Sequence, residues 1–231
     1  MYNMVFLPEE VTITKEGLEA SLSEYMNPDN YKVHFNQDSS IVEVMGKTFT
    51  LIYVDKPAPL EEISGQFEHK AHIILSPLGK AADIRGGIDL QLALERFVLL
   101  ISLSFSATHV YWSNTRKFAD LEKLNALIGK SNKLYEGTSK PSTYLPIPYW
   151  ISGKRKSKTD YLLHGFSNLG EKDFHIKVSS NSWSQVKPLV NYIVKYVFDS
   201  GRFFNAGDRM TLPTGQDIYL SESDEFVMLE L

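Results

Sequence analysis

The chain has 231 residues, 43% hydrophobic and 23% charged, an ordinary balance for a globular protein with a substantial core. Its 24 basic and 28 acidic side chains leave a formal net charge of −4, so electrostatics gives no long-range help in approaching nucleic acid or an anionic membrane. Cysteine is absent, which excludes disulfides, thiolate metal sites, iron–sulfur clusters and a cysteine nucleophile, and suits a reducing compartment.

The start, MYNMVFLPEEV, has no basic stretch, long apolar run or small-residue cleavage site, so no signal peptide is read there. Met4–Leu7 reads as a strand. Thr14 then has the chemistry of an N-cap, with Leu18, Leu22 and Tyr25 on one helical face and Pro28 as the stop. YKVHF and SIVEV are short strand candidates. Lys47–Val54 alternates Phe49, Leu51 and Tyr53 with Thr48, Thr50 and Ile52, as a half-buried strand does. Ala71–Ser76 is an apolar run suited to an interior strand.

A long helix is predicted from Ile88 to Ser106. Its polar positions, Gln91, Glu95, Ser102 and Ser106, form one narrow stripe, and a helix apolar on nearly every other side is a core helix. Its most apolar run, Phe97–Phe105, falls far short of the roughly 20 residues of a membrane span. No membrane partner is expected, and the cytoplasm is the expected compartment. His109–Trp112 is strand-like, and KFADLEKLNALIG repeats Phe118, Leu121, Leu124 and Leu127 at helical spacing up to Gly129.

Residues 130–158 are rich in Gly, Ser, Thr, Pro and Lys around the aromatic knot TYLPIPYWI, which reads as a long excursion. Pro146 and Pro148 make Tyr144–Trp150 extended. Farther on, Ser184 reads as a cap, Pro188 falls in the first helical turn, and Gly201 terminates. Val186, Leu189, Val190, Ile193, Val194 and Val197 make the apolar stripe of that helix. The tail reads as short strands around a Thr-Gly turn. The expected class is α+β, with mainly antiparallel sheet covered by helices on one face. Residues 1–231 form either one domain or two intimately packed halves, about 1–129 and 159–231, joined by the excursion 130–158. An old duplication would relate such halves.

The stretch LLHGFSNLGEKDFHIKV sets His164 and His175 on either side of a turn. A three-residue loop ending in Gly170 pairs Ser167 with Glu171 and sends the two histidines to opposite faces. An even loop, Asn168–Glu171, sets His164 directly opposite His175 and gathers Tyr161, Leu163, Phe174, Ile176 and Val178 on one apolar face. The hydrophobic pattern favours the even loop, because a one-residue slip turns every side chain over. Two histidines leave zinc short of ligands, so no metal is expected. His69 and His72, read as part of a strand, point apart. His109 stands near Trp112.

Other signals are weaker. GKRKSK, residues 153–158, carries four positive charges beside Tyr149 and Trp150, a pattern open to phosphate contact or to a solvated loop. IRGGID, residues 84–89, lacks the glycine spacing of a phosphate loop. No Gly-x-Ser-x-Gly or His-Glu-x-x-His occurs, and nothing in the sequence pairs Glu171, Asp173, Asp208 or Asp217. No cofactor is expected.

AHIILS, the long helix, ATHVYWSNTR, YLPIPYWIS, LHGFSNLGEKDFHI and DSGRFFNAGDRMTLPTGQDIYLSESDEF follow one another in an order that resembles the bacterial family catalogued as domain of unknown function 4261. Trp112, Pro146, Pro148, Gly165, Gly170 and Gly207-Asp208 carry the resemblance, from about Ala71 onward. The family implies no catalytic residue. In it the place of His175 is often acidic, and its mix resembles small bacterial proteins that bind other proteins, immunity proteins among them.

The leading expectation is therefore a non-catalytic protein-binding module of immunity or accessory type. Its binding residues are expected among Trp112, Tyr144, Tyr149, Trp150, His164 and His175, with Trp183 as a further aromatic. The alternative is a small-ligand enzyme or hydrolase using one of these histidines, or His109, with an acid. A nucleic-acid partner is not expected.

Overall fold

The computed structural model describes residues 2–36, 39–59, 67–123, 126, 150–179, 183–212 and 215–231. Two compact units emerge, Met1–Lys80 with Asp89–Gly137, and Ala81–Ile88 with Thr138–Leu231. The divisions fall after Lys80, Ile88 and Gly137. Tyr144 and Tyr149, the prolines between them and the expected helix end at Gly129 lie outside the described residues. The α+β class holds, with mainly antiparallel sheet.

The first unit is built on strands β1 (Asn3–Leu7), β2 (Tyr31–His34), β3 (Ser40–Val44), β4 (Lys47–Val54), β5 (Ala71–Pro77), β6 (His109–Trp112) and β7 (Lys117–Asp120). They form one sheet in the order β2-β3-β4-β5-β1-β6-β7, with every neighbouring pair antiparallel. The register puts Val5, Leu7, Val42, Phe49, Leu51, Ile73, Leu75, Val110 and Trp112 on one face, all buried. Helix α2 (Ile84–Ser104) meets this face, with Phe97 5.5 Å from Phe49 between ring centres. The opposite face mixes Lys32, Glu43, Thr48 and Thr50 with Ile41, Ile52 and Val54 across β2–β4, and turns aromatic across β1 and β6, where Met4, Phe6 and Tyr111 are buried with Ala58.

Helix α1 (Lys15–Tyr25) starts as expected, with the Thr14 hydroxyl accepting from the Gly17 N–H at 3.0 Å. Leu18 and Leu22 are buried; the side chain of Tyr25 is outside the described set. Helix α2 is the core helix, as its composition requires, and begins four residues before Ile88. Its polar stripe is interior too: Gln91, Glu95 and Ser102 are only 1%, 1% and 0% exposed. Trp112 Nε1 donates to Glu95 Oε1 at 2.5 Å, and Ser102 Oγ donates to the Val98 carbonyl one turn back, so these two polar side chains of the helix enter the core with partners. Ser106 lies beyond the helix.

Phe118 is in a strand, not the predicted helix. β7 pairs with β6, setting Phe118 opposite Tyr111 and the buried Ala119 opposite Val110, and this cross-strand packing overrides the helical spacing of the leucines that follow.

In the second unit, β8 (Ser152–Arg155), β9 (Asp160–His164), β10 (Asp173–Lys177), β13 (Ser221–Glu222) and β14 (Phe226–Glu230) form a sheet ordered β13-β14-β10-β9-β8. β10 and β14 are parallel and the other pairs antiparallel. β11 (Arg209–Thr211) and β12 (Asp217–Tyr219) make a separate hairpin. The two sheets thus differ in topology. Helix α3 (Trp183–Ser200) buries Val186, Leu189, Ile193 and Val197 of the expected stripe and adds Phe198, while Val190 and Val194 are only partly buried. Ser184 lies within this helix rather than capping it, and Pro188 falls in the second turn, on an exposed side where the Ser184 carbonyl can turn to water. Gly165 is required by both backbone and space: its φ is +117°, and a Cβ there would lie 2.0 Å from the Trp150 carbonyl oxygen. Among the described residues, no helix is long and apolar enough to cross a membrane.

Candidate functional site

The β9–β10 hairpin takes neither expected register. Phe174 stands opposite Leu163 and His175 opposite Leu162, two residues away from the alignment that would set the histidines face to face. The connection absorbs the difference. Gly165 and Gly170 are both left-handed, and between them Phe166–Leu169 forms a 3-10 turn that buries Phe166 and Leu169. A slip of two keeps every side chain on its face. Leu163, Phe174, Ile176 and Val178 are buried together as predicted, while His164 and His175 share the opposite face as diagonal neighbours.

Each histidine on that face has its own carboxylate. His164 Nδ1 lies 3.2 Å from Asp173 Oδ2, with the side chains 34% and 14% exposed. Asp173 also accepts from the backbone N–H groups of Gly165 and Ser167, at 2.9 and 3.0 Å, so one carboxylate ties down both the turn and the imidazole. This arrangement favours the tautomer with its proton on Nδ1, leaving Nε2 as the acceptor. His175 is turned the other way, with Nε2 2.8 Å from Asp160 Oδ1. Asp160 further accepts from the hydroxyls of Ser157 and Thr159, and these bonds, with the one from His175, pull its carboxyl down to about 2.

The basic loop is partly tied. The Arg155 guanidinium lies 4.0 Å from the Trp183 ring centre, its Nε donates to the Ser157 carbonyl, and Trp183 Nε1 donates to the Lys158 carbonyl. Trp183 is held by these contacts. Trp112 and Trp150, expected at a binding surface, are 0% and 1% exposed, and each is a core side chain of its own unit. Tyr144 and Tyr149 lie outside the described residues.

Sequence reasoning missed a second group of histidines, in the first unit. His69 and His72 do not point apart; both meet the Phe6 ring, at 4.9 and 6.5 Å between ring centres. His69 precedes β5 rather than lying in it, so strand alternation does not govern it. The Ala58 N–H donates to His69 Nε2, and His72 Nδ1 meets the Lys56 carbonyl, each at 2.9 Å. His109 stacks on Phe67 at 4.0 Å, and among the described residues its buried Nδ1 has no hydrogen-bond partner. Burial pushes all three below the ordinary histidine range. Among the described residues, no three His, Cys, Asp or Glu side chains gather as a metal ion would require.

Neither a family model, a curated protein nor a solved structure matches this chain.

Proposed function

We propose that the chain is a bacterial, cytoplasmic, non-catalytic protein-binding module of immunity or accessory type, and that its contact face is the outer face of the five-stranded sheet. One observation carries this reading. The two His–Asp pairs share that face with Leu162, Phe226 and Met228, all half-exposed, so polar pairs and apolar side chains alternate where a partner could cover both. The resemblance to domain of unknown function 4261 supports the immunity or accessory type. The net charge of −4 speaks against a nucleic-acid partner. A photo-crosslinking residue at Met228 is expected to capture one discrete protein in the native cell, while the same residue at Lys32, in β2 of the first unit, does not. Equal capture at the two positions, or none at Met228, refutes the reading.

A second, hydrolytic reading rests on a cross-strand row. Ser152 stands directly opposite His164, whose other neighbour is Asp173. Serine, histidine and acid thus follow one another across the strands in the order of a catalytic triad, with the acid on Nδ1. Labelling of Ser152 by a fluorophosphonate, abolished in His164→Gln, would favour hydrolysis. Absence of labelling leaves the row as a structural feature of the binding face.

A further inference from the structure

The first unit contains an open cleft of about 360 Å³, in the size range of small-molecule sites and independent of the hairpin face. Its apolar part is Leu51 at the base, with Phe35, Val11 and Ile13 around it. One wall is fixed. The Val11 N–H donates to the Tyr53 hydroxyl at 3.1 Å, pinning the linker between β1 and α1 across the end of β4. Ser40 is committed to the Asn36 backbone, accepting from its N–H and donating to its carbonyl.

The remaining polar group of consequence is Asp55. It lines the cleft just past the end of β4, is exposed, and among the described residues nothing forms an ion pair or hydrogen bond with its carboxylate. Among the described residues, no lysine, arginine or histidine lines the cleft. A cavity with an apolar base, two aromatic side chains and one uncompensated carboxylate is complementary to a cation carried on an apolar body. The start of α1 lies next to Ile13 and would attract an anion instead. Its Thr14 cap already receives one of the free N–H groups, and the full negative charge of Asp55 outweighs the partial charge of a helix end.

We propose that this cleft binds a small organic ammonium ion, with the charged group at Asp55 and its apolar body against Leu51 and Phe35. The probe is phenethylammonium, compared by amide NMR with 3-phenylpropionate and 2-phenylethanol, which keep the apolar body but change the head. The amine should shift the signals of Val11, Ile13, Asn36 and Asp55 saturably, and more tightly than either comparison compound. Asp55→Asn should weaken it about fivefold, the size of one partly exposed charge pair. Asp55 has no partner to lose, so this variant keeps its fold, which its own spectrum verifies. Ile13→Trp, which fills the cleft from its wall, should abolish the shifts. Tighter binding of the carboxylate, equal binding of the alcohol, an unchanged affinity in Asp55→Asn, or no shift at the cleft each overturns the proposal.

Discussion

The first unit sets three histidines among aromatic rings, with His72 buried and His69 and His109 partly so, and the second gives each of its two histidines a carboxylate. His72, Phe6 and His109 lie in one row across β5, β1 and β6, with Phe67 stacked over the end of it. An acid does stand beside them, since Asp120 faces His109 across β6 and β7. It is bonded to the side chain and backbone N–H of Lys123, which hold its carboxyl below the usual range. The same residue type is thus used in two ways. Burial without an available acid holds imidazole neutral, as a polar-edged aromatic ring. On the half-exposed face each imidazole is instead held by a carboxylate of its own.

The largest test breaks the first arrangement. Phe6 is fully buried and touches His69, His72 and Phe67. Phe6→Ala should cost roughly 3–5 kcal/mol in urea unfolding, the range for a buried ring lost from a packed core. It should also admit water to the histidines. A loss under 1 kcal/mol would mean that the aromatic cluster is not what holds them.

A smaller loss is expected in the second unit. Asp173→Ala removes the acceptor of two backbone N–H groups and of His164, and should cost about 1–2 kcal/mol, as for a lost cap. The readout is faster amide exchange at Gly165 and Ser167. If those amides stay protected, the turn is held by the burial of Phe166 and Leu169 instead.

How far all this was legible follows from the range of the interactions. Thr14 as a cap, α2 as the core helix, and the apolar faces of α3 and the hairpin depend on neighbours within a few residues, and were read correctly. The hairpin register was not, because the loop between two left-handed glycines is longer than the tight turns considered. β1 inserts between β5 and β6, two strands far along the chain, so no local pattern could reveal that Phe6 separates two histidines. Asp160 escaped notice because its value to His175 comes from being 15 residues away across a strand pair. Trp112 and Trp150 were read as surface aromatics because composition alone does not tell an interface ring from a core ring.

Acid titration sharpens the contrast. His69, His72 and His109 have folded-state pKa values below the ordinary 6.5, so the unfolded chain binds more protons at and below that pH. Stability of the first unit is therefore complete above about pH 6.5 and declines as pH falls toward the lowered values. His109→Phe keeps the stack on Phe67, removes an unpartnered buried nitrogen, and should reduce the loss between pH 7 and pH 5. An unchanged pH slope would show that His109 does not contribute to it.

The smallest effect is expected at Asp160. Its carboxyl is drawn from 3.8 to about 2 by Ser157, Thr159 and His175, so it stabilises the fold above pH 3.8 and ceases to as pH falls through about 2. This lies far below the window of the buried histidines, so one acid titration can separate the two. The Asp160 side chain is about a third exposed, and solvent screening keeps its share small. Asp160→Asn keeps the shape and can still accept the hydroxyl bonds, but removes the charge facing His175. It should leave neutral-pH stability nearly unchanged and flatten the acid limb below about pH 4, as followed by urea unfolding across that range. An acid limb identical in wild type and Asp160→Asn would mean that the Asp160 charge, for all its three side-chain partners, contributes nothing to stability in that window.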